Sequence, residues 1–216
     1  LNKNIPIGAG LAGGSADAAA TLIGLNRLWK LKYSNTKLEE LSSKLGSDVP
    51  FCISGGTQLC FGKGHILEPI NNYASMSLIL VKDPNVSVST PWAYSLNKKI
   101  NNKKYLLNEN DFEFRRKELR KAIWLNPLNS NNPLPLRNDL QSVVANNVQS
   151  VAEALDLLSS IPETLSVAMS GSGPSCFALF SDFDSANSVL DKYKKQINSI
   201  GLDAWCCSFD HEATRI

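Results

Sequence analysis

The residue pattern predicts an α+β fold. Two observations carry that expectation. A glycine-dense loop from Gly8 to Gly14 runs straight into an alanine-rich helical stretch, and the helical periods after it give way to strands joined by tight glycine turns. In the second half a strand, a hairpin, a helix and a last strand follow one another, the order of an antiparallel sheet with helices packed on it.

Length and composition narrow the class. A chain of 216 residues, 43% hydrophobic and without an apolar run of membrane-spanning length, has ample material for a core. A net charge of +2 gives no reason to invoke nucleic acid or a membrane as partner. The lysine and arginine run from Arg115 to Lys121 reads as a solvated helix face. The five cysteines, Cys52, Cys60, Cys176, Cys206 and Cys207, lie in apolar stretches without CxxC spacing and read as buried thiols in a reducing compartment. With only His65 and His211 in the chain, a histidine metal cluster or a Ser-His-Asp triad is not expected.

In chain order, the first feature is the loop itself. Four of the seven residues from Gly8 to Gly14 are glycine, where a tight turn needs one or two. Such a loop lets several backbone N–H groups point into one concavity, and the helix beginning at Ser15 adds its own unpaired N–H groups, so the expected guest is a phosphate. Gly8-x-Gly10-x-x-Gly13 satisfies a dinucleotide fingerprint only as a string, because Pro6 stands where its buried strand should be. No lysine follows Gly13 or Gly14, which excludes the GxxxxGK[ST] loop. Leu1 lies a few residues before a loop that needs strands beneath it, so the reading includes an upstream segment beyond Leu1.

The helix from Ser15 to about Lys32 is expected to bury a stripe of Ala18, Leu22, Leu25 and Trp29. A capping box, Thr36-x-x-Glu39, opens a second helix that stops at Gly46. Pro50 biases Val49 to an extended conformation, which predicts a strand over Phe51-Cys52-Ile53 with Asp48 on the connection before it, as a turn-former or a functional carboxylate. Thr57 to Phe61 and the Gly62-Lys63-Gly64 turn predict a hairpin, Ser77 to Val81 a strand, and Val86 to Ser89 a half-buried strand by alternation. Thr90 caps a helix with Pro91 at its first position. Phe112 to Leu125 is expected to be helical, Asn126 to Pro135 a loop, and Asn138 to Leu158 helical. Leu165 to Met169 and Cys176 to Phe180 are strands flanking the turn Gly171-Ser172-Gly173, and a helix from Ser185 to Ile197 and a strand from Asp203 to Phe209 close the chain.

Read together, Pro6, Gly10, Leu11, Gly14 and Ser15 form a Pro-x-x-x-Gly-Leu-x-x-Gly-Ser string that resembles the phosphate-binding motif of the GHMP kinases. Met169 to Ser175 resembles the C-terminal glycine motif of the same superfamily. Within it, Gly46 to Phe51, Val86 to Tyr94 and Asn138-Asp139-Leu140 resemble segments of the kinases that phosphorylate 4-diphosphocytidyl-2-C-methyl-D-erythritol in the non-mevalonate isoprenoid route. Two departures stand out: Ala16 replaces a second serine, and the family's lysine lies upstream of Leu1, a place neither Lys3 nor Lys63 is given.

The resemblance implies a two-lobed fold, an incomplete ribosomal-protein-S5-domain-2-like lobe over residues 1–72 and a ferredoxin-like lobe over residues 73–216. It implies ATP and Mg2+ as cofactors, with phosphoryl transfer to the 2-hydroxyl of the erythritol substrate. The triphosphate would lie on Pro6, Ile7, Gly8, Ala9, Gly10, Leu11, Ala12, Gly13, Gly14, Ser15 and Ala16, with Ser15 also the candidate magnesium contact. Asp48 would serve as the catalytic carboxylate, while Thr90, Tyr94, Gly171, Ser172 and Gly173 would bind the acceptor, Tyr94 by stacking on its cytosine. A cytoplasmic enzyme, monomeric or homodimeric, is the implied setting, with a plastid as the other possible compartment. Another GHMP small-molecule kinase and a non-catalytic nucleotide-binding fragment are the alternatives.

Overall fold

The glycine loop feeds α1 (Gly13–Leu28), and the chain then forms α2 (Asn35–Ser42), α3 (Val49–Ser54) and a hairpin of β1 (Gln58–Phe61) and β2 (Ile66–Pro69). The structure, a computed structural model, describes residues 3, 5–70, 76–102, 108–121 and 136–210. It divides into two compact units: Ala12–Ala74 with Asp210–Ile216, and Leu1–Leu11 with Ser75–Phe209. The residues up to Leu11 thus group with the second half of the chain.

In the smaller unit, Ala19, Leu38, Val49 and Ile53 form the buried centre, with Ala18, Leu22, Ile23 and Cys52 packed against it. The expected stripe is therefore turned toward Ala19 and Ile23. Trp29 falls outside it, 62% exposed, because α1 ends at Leu28 and Lys30 and Lys32 take positive φ, which ends the helical period. The cap of α2 is Ser34, whose hydroxyl accepts from Lys37 N–H. Glu39, free of the expected capping box, instead accepts a 2.6 Å hydrogen bond from Ser54 Oγ and so ties α2 to α3.

The expected strand over Phe51-Cys52-Ile53 is helical. Pro50 sits in the first turn of α3, where a missing N–H has no intrahelical partner to lose and the fixed φ is already helical. Asp48 thereby becomes the residue that opens a helix.

The larger unit is built on a four-stranded antiparallel sheet in the order β4–β5–β3–β6, formed by β3 (Ser77–Lys82), β4 (Ser166–Met169), β5 (Cys176–Phe180) and β6 (Asp203–Ser208). Its helices are α4 (Thr90–Asn101), α5 (Glu109–Arg120), α6 (Gln141–Ala145), α7 (Gln149–Ser159) and α8 (Phe183–Ser199). Numbered within this unit the strands run 2-3-1-4, the ferredoxin-like order. Val151, Ala154 and Leu158 of α7 and Ala186, Val189 and Ile197 of α8 pack with Ile79, Val81, Ala178 and Phe180 in one core.

Val86 to Ser89 alternates in burial but pairs with no strand; Ser89 is the cap of α4, accepting from Trp92 N–H, a place expected for Thr90. The helical stretch from Asn138 is broken at Asn146 and Asn147 into α6 and α7. α5 buries no residue, as a solvated face should. The Asn126 to Pro135 loop and the end of the helix expected to reach Leu125 lie outside the described residues. Of the cysteines, none in a disulfide, Cys176 alone is buried; Cys52, Cys206 and Cys207 are half-buried and Cys60 is exposed on the two-stranded ribbon. Among the described residues no helix is long and apolar enough to cross a membrane.

Candidate functional site

Helix α1 begins without a side-chain cap. Its N-cap, Ala12, takes the left-handed conformation (φ 50°), uncommon for a residue with a Cβ, and makes no side-chain hydrogen bond to the first turn. The first turn carries no acidic residue, so its N–H groups and the positive end of a 16-residue helix are left for an external anion. A Cβ added at Gly13 or Gly14 would meet nothing within 4 Å. Neither residue has the positive φ that demands glycine, so what their missing side chains leave is open space over the helix N-terminus.

The preceding glycines are placed differently. Gly10 has φ +70°, and a Cβ there would stand 2.4 Å from Ser170 O and 2.8 Å from Gly173 O. Ser170 Oγ donates to Gly10 O at 2.8 Å, and Ser175 N–H donates to Ala9 O at 3.4 Å. A Cβ on Gly171 would in turn lie 3.0 Å from Gly10 O. The two glycine segments of the sequence therefore meet backbone to backbone, and Ala9 is buried at 3% exposure where they join. Gly8, at φ +63°, approaches Ser87. Ile7, by contrast, is largely exposed.

The second turn also reaches the start of α4. Thr90 Oγ1 and Ser172 Oγ lie 2.8 Å apart, so two hydroxyls expected to bind the acceptor form a pair. Tyr94, on the same helix, is 60% exposed and presents an uncovered ring. Ser170, Ala9, Ser175 and Asn138 hold this arrangement; sequence reasoning assigned Ala9 to the phosphates and placed the other three in segments of family resemblance, without these contacts. Asn138 and Ser170 both stand inside segments whose resemblance was plain, but the hydrogen bonds that give them a role join residues about 30 and 160 positions apart.

Asp48 belongs to the smaller unit with Gly13, Gly14 and Ser15. It is the N-cap of α3, and its carboxylate makes no cap hydrogen bond. Val49 beside it packs in the same cluster as Ala19 of α1, so the helix that Asp48 opens and the helix that the glycine loop opens share one core. The field of its negative charge reaches two thiols: burial first, then Asp48, raises Cys52 and Cys60 above the usual thiol range.

Residues 1–56 match the model of the GHMP kinases N terminal domain and residues 114–199 that of the GHMP kinases C terminal domain. The chain is 56% identical, over its whole length and 68% of that protein, to the 4-diphosphocytidyl-2-C-methyl-D-erythritol kinase of Prochlorococcus marinus (strain MIT 9303). It is 54% identical to the kinase of the same name from Synechococcus sp. (strain CC9902), over all of the chain and 71% of that protein. A crystal structure of 4-(cytidine 5'-diphospho)-2C-methyl-D-erythritol kinase superposes with a TM-score of 0.71 at 27% identity, covering 96% of this chain and 68% of that one. The homoserine kinase of Cytophaga hutchinsonii, at 18% identity and a TM-score of 0.74 over 97% of this chain and 69% of that one, shares the fold. The chain belongs to the GHMP kinase family, and within it to the branch of small-molecule kinases represented by these cyanobacterial relatives.

Proposed function

We propose that the chain transfers the γ-phosphoryl group of ATP to the 2-hydroxyl of 4-diphosphocytidyl-2-C-methyl-D-erythritol. The observation that carries the phosphate part is the uncapped N-terminus of α1 with open space at Gly13 and Gly14. The acceptor follows from the branch to which the relatives belong. Phosphoryl transfer needs alignment and charge neutralisation more than covalent chemistry, and a rigid cradle of N–H groups supplies both.

In this reading the residues from Pro6 to Ala16 hold the triphosphate, Asp48 takes the proton of the attacking hydroxyl, and Tyr94 stacks on the cytosine while Thr90 and the Gly171-Ser172-Gly173 turn contact the acceptor. An exposed ring on a helix face and a carboxylate without local hydrogen bonds suit those two tasks. Mg2+, which takes oxygen ligands and keeps several waters, would be held by Ser15 Oγ and the phosphates and would neutralise their charge. The setting is cytoplasmic, as a monomer or homodimer.

The deciding experiment is steady-state phosphorylation of the cytidine substrate by the complete protein and by Asp48→Asn. Asparagine keeps the size and the hydrogen-bond acceptor but removes the proton-accepting charge, so kcat should fall by about 10²–10⁴ with little change in either KM. A kcat within about threefold of wild type, far inside that range, overturns the role of Asp48, and absence of transfer by the wild type overturns the function.

A further inference from the structure

Asn138 stands three residues before α6, in a segment to which the proposed chemistry gives no role, yet it donates both its N–H groups to the second glycine turn. Its Nδ2 donates to Met169 O and to Gly171 O, each at 2.8 Å, so it grips the chain on both sides of Ser170. Its Oδ1 meanwhile accepts from Leu140 N–H at 2.9 Å, closing the turn into α6. Gln141 adds a fourth bond, its Oε1 accepting from Met169 N–H at 2.9 Å. Ser170, held in this way, points its hydroxyl at Gly10 O. The chain of contacts runs from the α6 entry through Asn138 to Met169 and Gly171, the covalent neighbours of Ser170, and from the Ser170 hydroxyl to the first glycine loop.

We propose that Asn138 is a positioning residue for the nucleotide: it fixes the second glycine turn against Gly10, and thereby fixes the backbone of the loop whose N–H groups bind the phosphates. The proposal rests on the reading of residues 6–16 as the phosphate loop. A clamp of this kind is needed because a glycine-dense loop loses more conformational entropy on ordering than any other sequence, and an N–H cradle helps only where it is already ordered before the ligand arrives. A turn-forming role for Asn138 would need Oδ1 alone; the two donors and their targets are what such a role leaves unexplained.

Asn138→Asp separates the two. Aspartate keeps the acceptor for Leu140 N–H and makes the same local turn, but it loses both donors and sets a negative charge against two carbonyl oxygens. In the complete protein, KM for ATP should rise by about tenfold or more, the worth of one to two net hydrogen bonds, while KM for the cytidine substrate stays within about twofold. Amide hydrogen exchange of the Gly8 to Ala12 peptide should speed up together with that of residues 169–173, with the exchange of the β3–β5 core unchanged. An aspartate variant equal to wild type in ATP KM and in exchange of Gly8 to Ala12 overturns the proposal. Should that variant fail to fold, Ser170→Ala cuts only the last link and is read in the same way; unaltered exchange of Gly8 to Ala12 there overturns it equally. If the wild type transfers no phosphate, the functional reading falls, and the exchange measurement still decides the clamp.

Discussion

At Gly10 a Cβ would collide with main-chain atoms of a turn some 160 residues further along, whereas at Gly13 and Gly14 it would enter space that no protein atom occupies. The two sites are three residues apart in one loop. At the first, glycine is demanded by positive φ and by the contact with Ser170 and Gly173; at the second, neither backbone conformation nor packing demands it. The difference teaches what each half of the loop does. The Gly8 to Gly10 half is packed against the Ser170 to Gly173 turn, and in the reading proposed above the Gly13 to Ser15 half is the seat for the phosphates.

The largest effect that can break this comparison is at Gly10. Gly10→Ala puts a methyl group where 2.4 Å separates it from a carbonyl oxygen and forces a left-handed residue, so it should cost more than about 4 kcal/mol of stability, the range reached only by severe steric changes. Urea unfolding measures this, and ATP binding should be lost along with the loop's anchorage. A Gly10→Ala protein of wild-type stability would mean the two glycine segments do not depend on their contact.

Next in size is the strand that carries the second turn. Cys176 begins β5 directly after Ser175, and burial pushes its thiol from 9.0 up to about 12. The sign follows from linkage. The unfolded chain ionises near 9 and the folded chain resists until about 12, so stability held below pH 9 is lost as pH rises from 9 toward 12. At about 1.36 kcal/mol per unit the full loss is about 4 kcal/mol. Comparing the urea midpoints of wild type and Cys176→Ala between neutral and alkaline pH isolates it: the alanine variant starts lower but falls less steeply. Equal slopes would remove Cys176 from the account.

Much of this was legible in the sequence, for physical reasons that can be named. An excess of glycines before an alanine-rich helix has few explanations, and strands such as Ser77 to Val81 and Cys176 to Phe180 announce themselves by composition. The failures have equally local causes. Pro50 biases Val49 toward an extended backbone, which pointed to a strand, but at a helix start that bias is overridden because the proline's fixed φ is already helical. Val86 to Ser89 alternates like a strand, but alternation records burial on one side and says nothing of a ladder partner. The reason for Gly10 and the work of Asn138 could not be read at all, since both depend on Ser170 and its neighbours, far away along the chain and adjacent only after folding.

The smallest change in stability carries the most direct test of the phosphate seat. Gly13→Ala introduces a better helix former at a position with room for it, so stability should stay level or rise by up to about 1 kcal/mol. The same methyl group would stand in the space the phosphates need, so ATP affinity, measured by calorimetric titration of the complete protein, should fall by about tenfold or more, a loss of about 1.4 kcal/mol. Opposite signs in the two measurements are what the account predicts. A Gly13→Ala protein as stable as wild type that binds ATP with undiminished affinity would contradict it.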